Sequence, residues 1–287
     1  MGVVIKVMKR IVSIQDISCF GKCSLTVALP IISAMGIETC VIPTAVLSTH
    51  TGSGFEGYTY HDLTEDIPAI ASHWQKLGMR FDAISTGYLG SQKQVAIVLD
   101  FFRDFGTKDN RIIVDPVLGD KGTYYKGLDD SYAQEMRRLC AQADVIMPNL
   151  TEASLLLGEP YRGDSYSESY VKDLLRRLAE LGAREVLLTG VSFDERHQGV
   201  VAYNRDLDTF FDYFTENIPG YFHSTGDVFS ATLSGALVLG LPIDRAIRTA
   251  VDFTVECIRH TVGHEREHWY SVRFEECLPW LIKAVGK

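Results

Sequence analysis

The chain of 287 residues is 46% hydrophobic and 23% charged, ordinary globular proportions with enough length for one large core or two smaller ones. Its formal net charge of −9 argues against the basic surface that nucleic-acid binding requires, and no apolar run approaches the roughly 20 residues of a membrane span. An anionic substrate stays compatible with that charge, because local backbone amides and a metal ion can hold one.

The opening "MGVVIKVMKRIVSIQ" has too short an apolar segment for a signal peptide and no small-residue cleavage site. Residues 1–9 read as an N-terminal extension, with Met8 an alternative start. Taken in chain order, "RIVSIQ" (10–15) predicts a first strand, followed by a helical "SLTVALPIISAMG" that Gly36 stops. "TCVIPTAVL" (39–47) is the next strand. Residues 62–78 are helical, with Ile67, Ile70, Ala71 and Trp74 recurring on one face. "DAISTGYLG" (82–90) is a strand entering a loop, and 94–106 is a helix. Short apolar strands follow at 111–120, 143–149 and 184–190, separated by helices around 130–140 and 167–182. Aromatic runs at 199–204 and 208–218 flank "RDLD" and predict a late antiparallel hairpin. Helices at 225–240, 242–260 and 274–285 close the chain.

Continuously apolar strands that alternate with helices predict an α/β fold, a mostly parallel central sheet covered on both faces. No Gly/Ser/Pro-rich linker or internal repeat interrupts it, so residues 1–287 read as a single domain. Cys19, Cys23, Cys40, Cys140, Cys257 and Cys277 are scattered without zinc spacing, which suits reduced thiols in a cytoplasmic protein. Ligands of open parallel sheets bind outside the carboxyl ends of the strands. Asp16, Gly87-Tyr88, Asp115-Pro116, Asn149 and Thr189-Gly190 stand at five such ends and point to one crevice.

In "HSTGDVFSA" a carboxylate, Asp227, sits at the mouth of an apolar helix. Ser224 or Thr225 can cap that helix, whose first amides carry partial positive charge and bind phosphate oxygens. Gly226 lets a ligand approach the backbone closely. "VDPVLGDKG" puts Asp115 at a strand end and Asp120 in a Gly-flanked loop, and "PNLTEASLL" puts Glu152 in a first helical turn. Acids and amides so placed suit Mg²⁺, which takes one or two carboxylates together with waters and substrate phosphates. Each motif also has a plain structural reading: an N-cap at 224–227, an Asx-turn before Pro116, a capping box from Asn149 to Glu152.

"SIQD" with the Gly21 loop, "STHTG" (48–52), "STGYLG" (85–90), "DPVLGD" (115–120), "PNLTE" (148–152) and "STGD" (224–227) occur in one order. In that order the chain resembles the pyridoxal kinases, members of the ribokinase-like superfamily that phosphorylate the 5′-hydroxymethyl group of vitamin B6. The resemblance covers about residues 10–260 and implies a ribokinase-like three-layer sandwich. It implies Asp227 as catalytic base and an anion hole of Ser224, Thr225, Gly226 and the Asp227 amide. It sets Asp115, Asp120 and Glu152 near Mg²⁺ and the nucleotide phosphates, Asn149 near the phosphates, and Thr189 with Gly190 at ATP. Thr51 and Tyr88 would line the pyridine pocket, and the 199–218 hairpin would cover ATP. It also implies a homodimer, and it leaves a place for a monovalent cation such as K⁺. A carboxylate at a helix N-terminus is stabilised as the anion, so Asp227 is expected to be a weak base that orients the hydroxyl.

Two departures stand out. Ser224 occupies a position usually held by Gly, which matters if that position needs a positive φ; His223 before it is either an extra phosphate contact or, as a lone His beside a loop more often is, a solvated side chain. "IQD" stands where pyridoxal kinases carry "IQS", so Asp16 either pairs with a protonated pyridine nitrogen or turns away to cap the loop. Kinase action on hydroxymethylpyrimidine, a thiamine precursor with the same CH₂OH group, is the nearest rival reading. A non-catalytic B6-binding protein is another. A dinucleotide-binding dehydrogenase would need G-x-G-x-x-G after the first strand, and "IQDISCFGKCS" lacks it.

Overall fold

The computed structural model describes residues 8–52, 54–163 and 165–287. The expected N-terminal extension lies outside the described residues except for Met8 and Lys9. The chain runs β1 (Arg10–Phe20), α1 (Leu25–Ala34), β2 (Glu38–Thr49), β3 (Tyr60–Asp62), α2 (Ile67–Lys76), β4 (Ala83–Thr86), α3 (Gln92–Phe105) and β5 (Arg111–Val114). A small hairpin, β6 (Gly119–Asp120) and β7 (Thr123–Tyr124), precedes α4 (Asp130–Cys140), β8 (Val145–Ile146), α5 (Leu150–Leu157) and α6 (Glu168–Ala179). Then come β9 (Glu185–Asp194), β10 (His197–Asn204), β11 (Thr209–Glu216), α7 (Thr225–Val238), α8 (Ile243–Thr261) and α9 (Phe274–Ala284).

Nine strands form one sheet in the order β11-β10-β9-β8-β5-β4-β1-β2-β3. From β2 to β9 all neighbours pair parallel, and antiparallel strands finish both edges. The alternation of strand side chains divides the core in two. Val12, Ile14, Ile84, Val114, Ile146, Val186 and Leu188 pack on the face covered by α2 to α6. Ile11, Ala83, Ile113, Val145 and Leu187 pack on the opposite face under α1, α7, α8 and α9. This is the three-layer arrangement that the apolar runs predict.

Several boundaries differ from expectation for local reasons. β1 continues five residues past Gln15 because β2 accompanies it to Thr49, so Asp16 lies within a strand rather than at its end. The pairing shifts register between Gln15 and Ile17, a local irregularity of the kind that re-aims side chains beside functional sites. β5 stops at Val114, since Asp115 precedes Pro116 and is restricted to extended, non-helical backbone. The hairpin at β10–β11 forms as expected, and β9 lengthens to Asp194 because β10 folds back on it. β3 and the β6–β7 hairpin are too short to leave a periodic signal.

The chain leaves β1 for β2 on one side and returns to β4 on the other, which opens a crevice at the carboxyl ends of β1 and β4. The loop after β4 is held there by Gln94, fully buried in α3. Its Nε2 donates to the Thr44 carbonyl and to Thr64 Oγ1, each at 2.9 Å, and its Oε1 accepts from Gly90 N at 2.6 Å. Replacing Gln94 by Ala leaves these groups unpaired, and we expect a loss of about 3 kcal/mol, measured as a fall in the urea midpoint at constant slope.

Candidate functional site

A cleft of about 580 Å³ opens at the carboxyl ends of the parallel strands. All thirteen site residues expected from the sequence line it: Asp16, Thr51, Tyr88, Asp115, Asp120, Asn149, Glu152, Thr189, Gly190, Ser224, Thr225, Gly226 and Asp227. Gln198, Gly199 and Val200 of β10, with Thr215 and Glu216 of β11, form one wall, so the late hairpin borders the same space.

Each side chain arrives by a local device. Tyr88 follows Gly87, where a Cβ would stand 2.2 Å from Gln15 Oε1, so glycine lets the loop lie against β1 without displacing that side chain. Thr44 Oγ1 donates to the Tyr88 carbonyl at 3.3 Å and fixes the turn. Asp120 ends β6, and its Oδ1 accepts from Lys121 N at 2.9 Å. Asn149 caps α5 through Oδ1 to Glu152 N, and Glu152 returns the bond to Asn149 N at 2.8 Å, so the capping box exists. Glu152's other oxygen accepts from Leu118 N at 3.2 Å. Thr189 extends the β8–β9 pairing by a bridge to Asn149, and Gly190 follows with φ +70°.

At α7, Ser224 is the N-cap residue by position, yet its side chain caps nothing. It sits at φ 67°, ψ 9°, the left-handed region, and its hydroxyl donates to the Lys22 carbonyl at 2.5 Å. The position that a glycine would fill without strain is thus held by a serine with a tertiary anchor. The small residues of α7 let it dock closely on α1: at Gly235 a Cβ would meet Met35 Sδ at 2.4 Å.

Electrostatically the cleft gathers acids. Burial raises the pKa of Asp227 to about 7, and the charge of Asp16 adds to the effect. This corrects the expectation of a weak base, because desolvation outweighs the hydrogen bonds from the Ser24 amide and the Cys23 thiol. Asp16 is also pushed up by burial, against hydrogen bonds from Ser24 and Ser18, the latter at 3.2 Å. Asp115 and Glu152 both rise, chiefly through burial. Among the described residues no three His, Cys, Asp or Glu side chains converge as a metal cage. With both Glu152 oxygens bonded to backbone amides, Asp115 and Asp120 remain as hard oxygen donors. That set fits Mg²⁺, which completes its shell with waters and phosphate oxygens.

Sequence reasoning missed two neighbours of the cleft. Lys22 and Ser24 both have positive φ, at 44° and 52°, and this strained turn brings Cys23 Sγ to 3.1 Å from Ser224 Oγ. His50 is the other. It is buried, its Nδ1 accepts from Gly52 N and its Nε2 meets the Tyr270 carbonyl, both at 3.0 Å. His223 packs on it with ring centroids 5.1 Å apart. His223 is therefore half-buried rather than solvated, and its pKa falls, by burial first and then by the charges of His50 and Lys121. The usable signal was glycine: at Gly52 a Cβ would lie 2.7 Å from the His50 ring, and at Gly21 likewise. All six cysteines are free, and among the described residues no helix is long and apolar enough to cross a membrane.

Comparison with known proteins agrees with this geometry. Residues 29–271 match the family model for phosphomethylpyrimidine kinase. A Bacteroides thetaiotaomicron protein with a provisional phosphomethylpyrimidine kinase name, crystallised with pyridoxal, is 40% identical with a TM-score of 0.90, covering 96% of both chains. The pyridoxal kinase of Lactobacillus plantarum is 29% identical with a TM-score of 0.88, covering 96% of this chain and 97% of that one. The hydroxymethylpyrimidine/phosphomethylpyrimidine kinase of Haemophilus influenzae is 26% identical over 275 residues, 91% of this chain and 97% of the relative. The ribokinase-like fold of these kinases is the fold found here.

The strain at Ser224 makes a separable prediction. Ser224→Ala keeps the left-handed backbone and loses the bond to Lys22, whereas Ser224→Gly loses the bond and relaxes the backbone. We expect the Gly variant to be the more stable of the two by about 1 kcal/mol in urea titration.

Proposed function

From the membership of this chain in the phosphomethylpyrimidine kinase family, matched over residues 29–271, we propose that it is an ATP-dependent pyridoxal kinase, phosphorylating the 5′-hydroxymethyl group of a B6 vitamer. The observation that carries this reading is the meeting, in one cleft, of Asp227 at the start of α7 with Asp16 of β1. One carboxylate suits a hydroxyl, and the other suits a ring nitrogen. The pyridoxal-bound Bacteroides relative supports the vitamer side.

In this mechanism Asp16 holds the protonated ring nitrogen, with Tyr88 and Thr51 beside the ring. The hydroxyl then faces Asp227, which takes its proton as the oxygen bonds to the γ-phosphorus and ADP departs. A base with a pKa near neutrality accepts that proton more readily than an ordinary carboxylate would. The amides of Ser224 to Asp227 stabilise the phosphoryl oxygens at the helix terminus. Asn149, Thr189 and Gly190 contact the nucleotide, along the wall formed by the hairpin. Asp115 and Asp120 would hold Mg²⁺, with Glu152 fixing the backbone behind them; the ion, when bound, neutralises phosphate charge. A homodimer is the matching expectation, checked by sedimentation.

The rival reading, phosphorylation of hydroxymethylpyrimidine, is favoured by the family description and by the Haemophilus relative. ADP release measured with pyridoxal, pyridoxamine, pyridoxine and hydroxymethylpyrimidine, with and without Mg²⁺ and K⁺, separates the two. We expect the B6 vitamers to lead; turnover confined to hydroxymethylpyrimidine overturns the proposal. Asp227→Ala should lose a factor of about 10²–10⁴ in turnover with ATP binding retained in calorimetry.

The pH dependence carries a sign. Asp227 must be ionised to act, so kcat/KM should fall as pH drops below about 7. The charge of Asp16 raises that pKa. Asp16→Ser should therefore move the acid limb to lower pH while weakening pyridoxal binding. An unmoved limb with unchanged affinity would show that Asp16 neither reads the ring nor faces the base.

A further inference from the structure

The cleft proposed to hold a nucleotide's phosphates is lined by Asp16, Asp115, Asp120, Glu152, Glu216 and Asp227, and among its described lining residues there is no lysine or arginine. A phosphoryl group in transfer spreads its charge over three equatorial oxygens, and no cationic side chain among the described lining residues meets it. Two lysines flank the mouth. Lys22 is tied down, with Nζ 2.7 Å from Glu275 Oε2. Lys121, at the turn between β6 and β7, makes no ion pair among the described residues. Its Nζ stands 4.3 Å over the ring of Tyr221, two residues before His223, whose imidazole feels its charge. The ammonium is therefore parked beside the segment leading into Ser224–Asp227, on an exposed ring that holds a cation weakly.

The backbone tells the same story. Lys121 has φ 51°, a region that glycine enters freely and other residues seldom do. Strain of this kind, kept where glycine would fold more easily, accumulates at functional sites.

We propose that Lys121 is a catalytic residue of the phosphoryl transfer, leaving the Tyr221 ring when nucleotide enters and placing its ammonium on the transferring phosphoryl oxygens. This inference rests on the kinase reading above. The bond from the γ-phosphorus to the β-phosphate oxygen breaks, and the bond to the vitamer's hydroxyl oxygen forms. The hydroxyl proton passes to Asp227, and ADP leaves. Lys121 keeps its protons throughout and supplies charge alone.

Three variants test it, each assayed for vitamer-dependent ADP release and for urea stability. Lys121→Gly relaxes the backbone, so it should be at least as stable as wild type while kcat falls about 100-fold or more, the usual effect of removing one charge-stabilising donor. Lys121→Arg, which keeps the charge, should recover at least about tenfold of that loss. Tyr221→Leu removes the parking ring and should keep kcat within about threefold of wild type. Near-normal kcat in Lys121→Gly overturns the proposal. A loss in Tyr221→Leu equal to that in Lys121→Gly also overturns it, by showing that the lysine only latches the loop. A wild-type protein that turns over none of the vitamers or hydroxymethylpyrimidine removes the kinase reading and this proposal together, whereas an active wild type with an unaffected Lys121→Gly removes the proposal alone.

Discussion

A sheet buried on both faces tolerates polar groups only where they find partners or reach its open edge, and this protein is organised by that restriction. From β2 to β9 the strand interiors are covered by helices on both faces, so an unpaired carboxylate there would be left without water. Chemistry is pushed to the rim. There the chain changes direction between β1 and β4, the loops separate, and a cleft forms. Gln94 and Gly87 matter for this reason: they close the polar bookkeeping of the loop after β4 and allow it to lie tight against β1.

The same restriction explains the electrostatics. Acids collected in a partly dehydrated recess raise one another's affinity for protons, and burial adds to it. Two hydrogen bonds, from the Ser24 amide and the Cys23 thiol, soften the effect at Asp227 without reversing it. The cleft thus concentrates acidic groups, a setting that favours cations. A ligand that brings its own positive groups lessens the mutual repulsion of those acids.

Much of this was legible in the sequence, and the parts that were not share a cause. Apolar runs such as "REVLLTG" and the 3.6-residue recurrence through Ile67, Ile70, Ala71 and Trp74 report burial directly, so the layers followed from them. The carboxyl-end residues were legible because strand ends are where apolar character stops. The raised pKa of Asp227 was not, since it follows from burial and from the charge of Asp16, which only the assembled fold brings near. Asp16 was placed one strand-end too early because its strand is extended by β2, a partner distant in sequence. His50 and the Lys22–Ser24 turn were hidden because neither has a local pattern: one is a ring enclosed by glycines from two loops, the other a turn whose positive φ values no sequence motif announces.

Five non-glycine residues among those described have left-handed backbone, and four of them, Lys22, Ser24, Lys121 and Ser224, stand around the cleft. Each is a place where glycine would suit the backbone better. Selection for heat tolerance and selection for turnover therefore pull these positions in opposite directions. A library enriched only for survival on heating should drift toward glycine at the rim while the buried layers stay unchanged, yielding sturdier molecules whose mouths have been simplified.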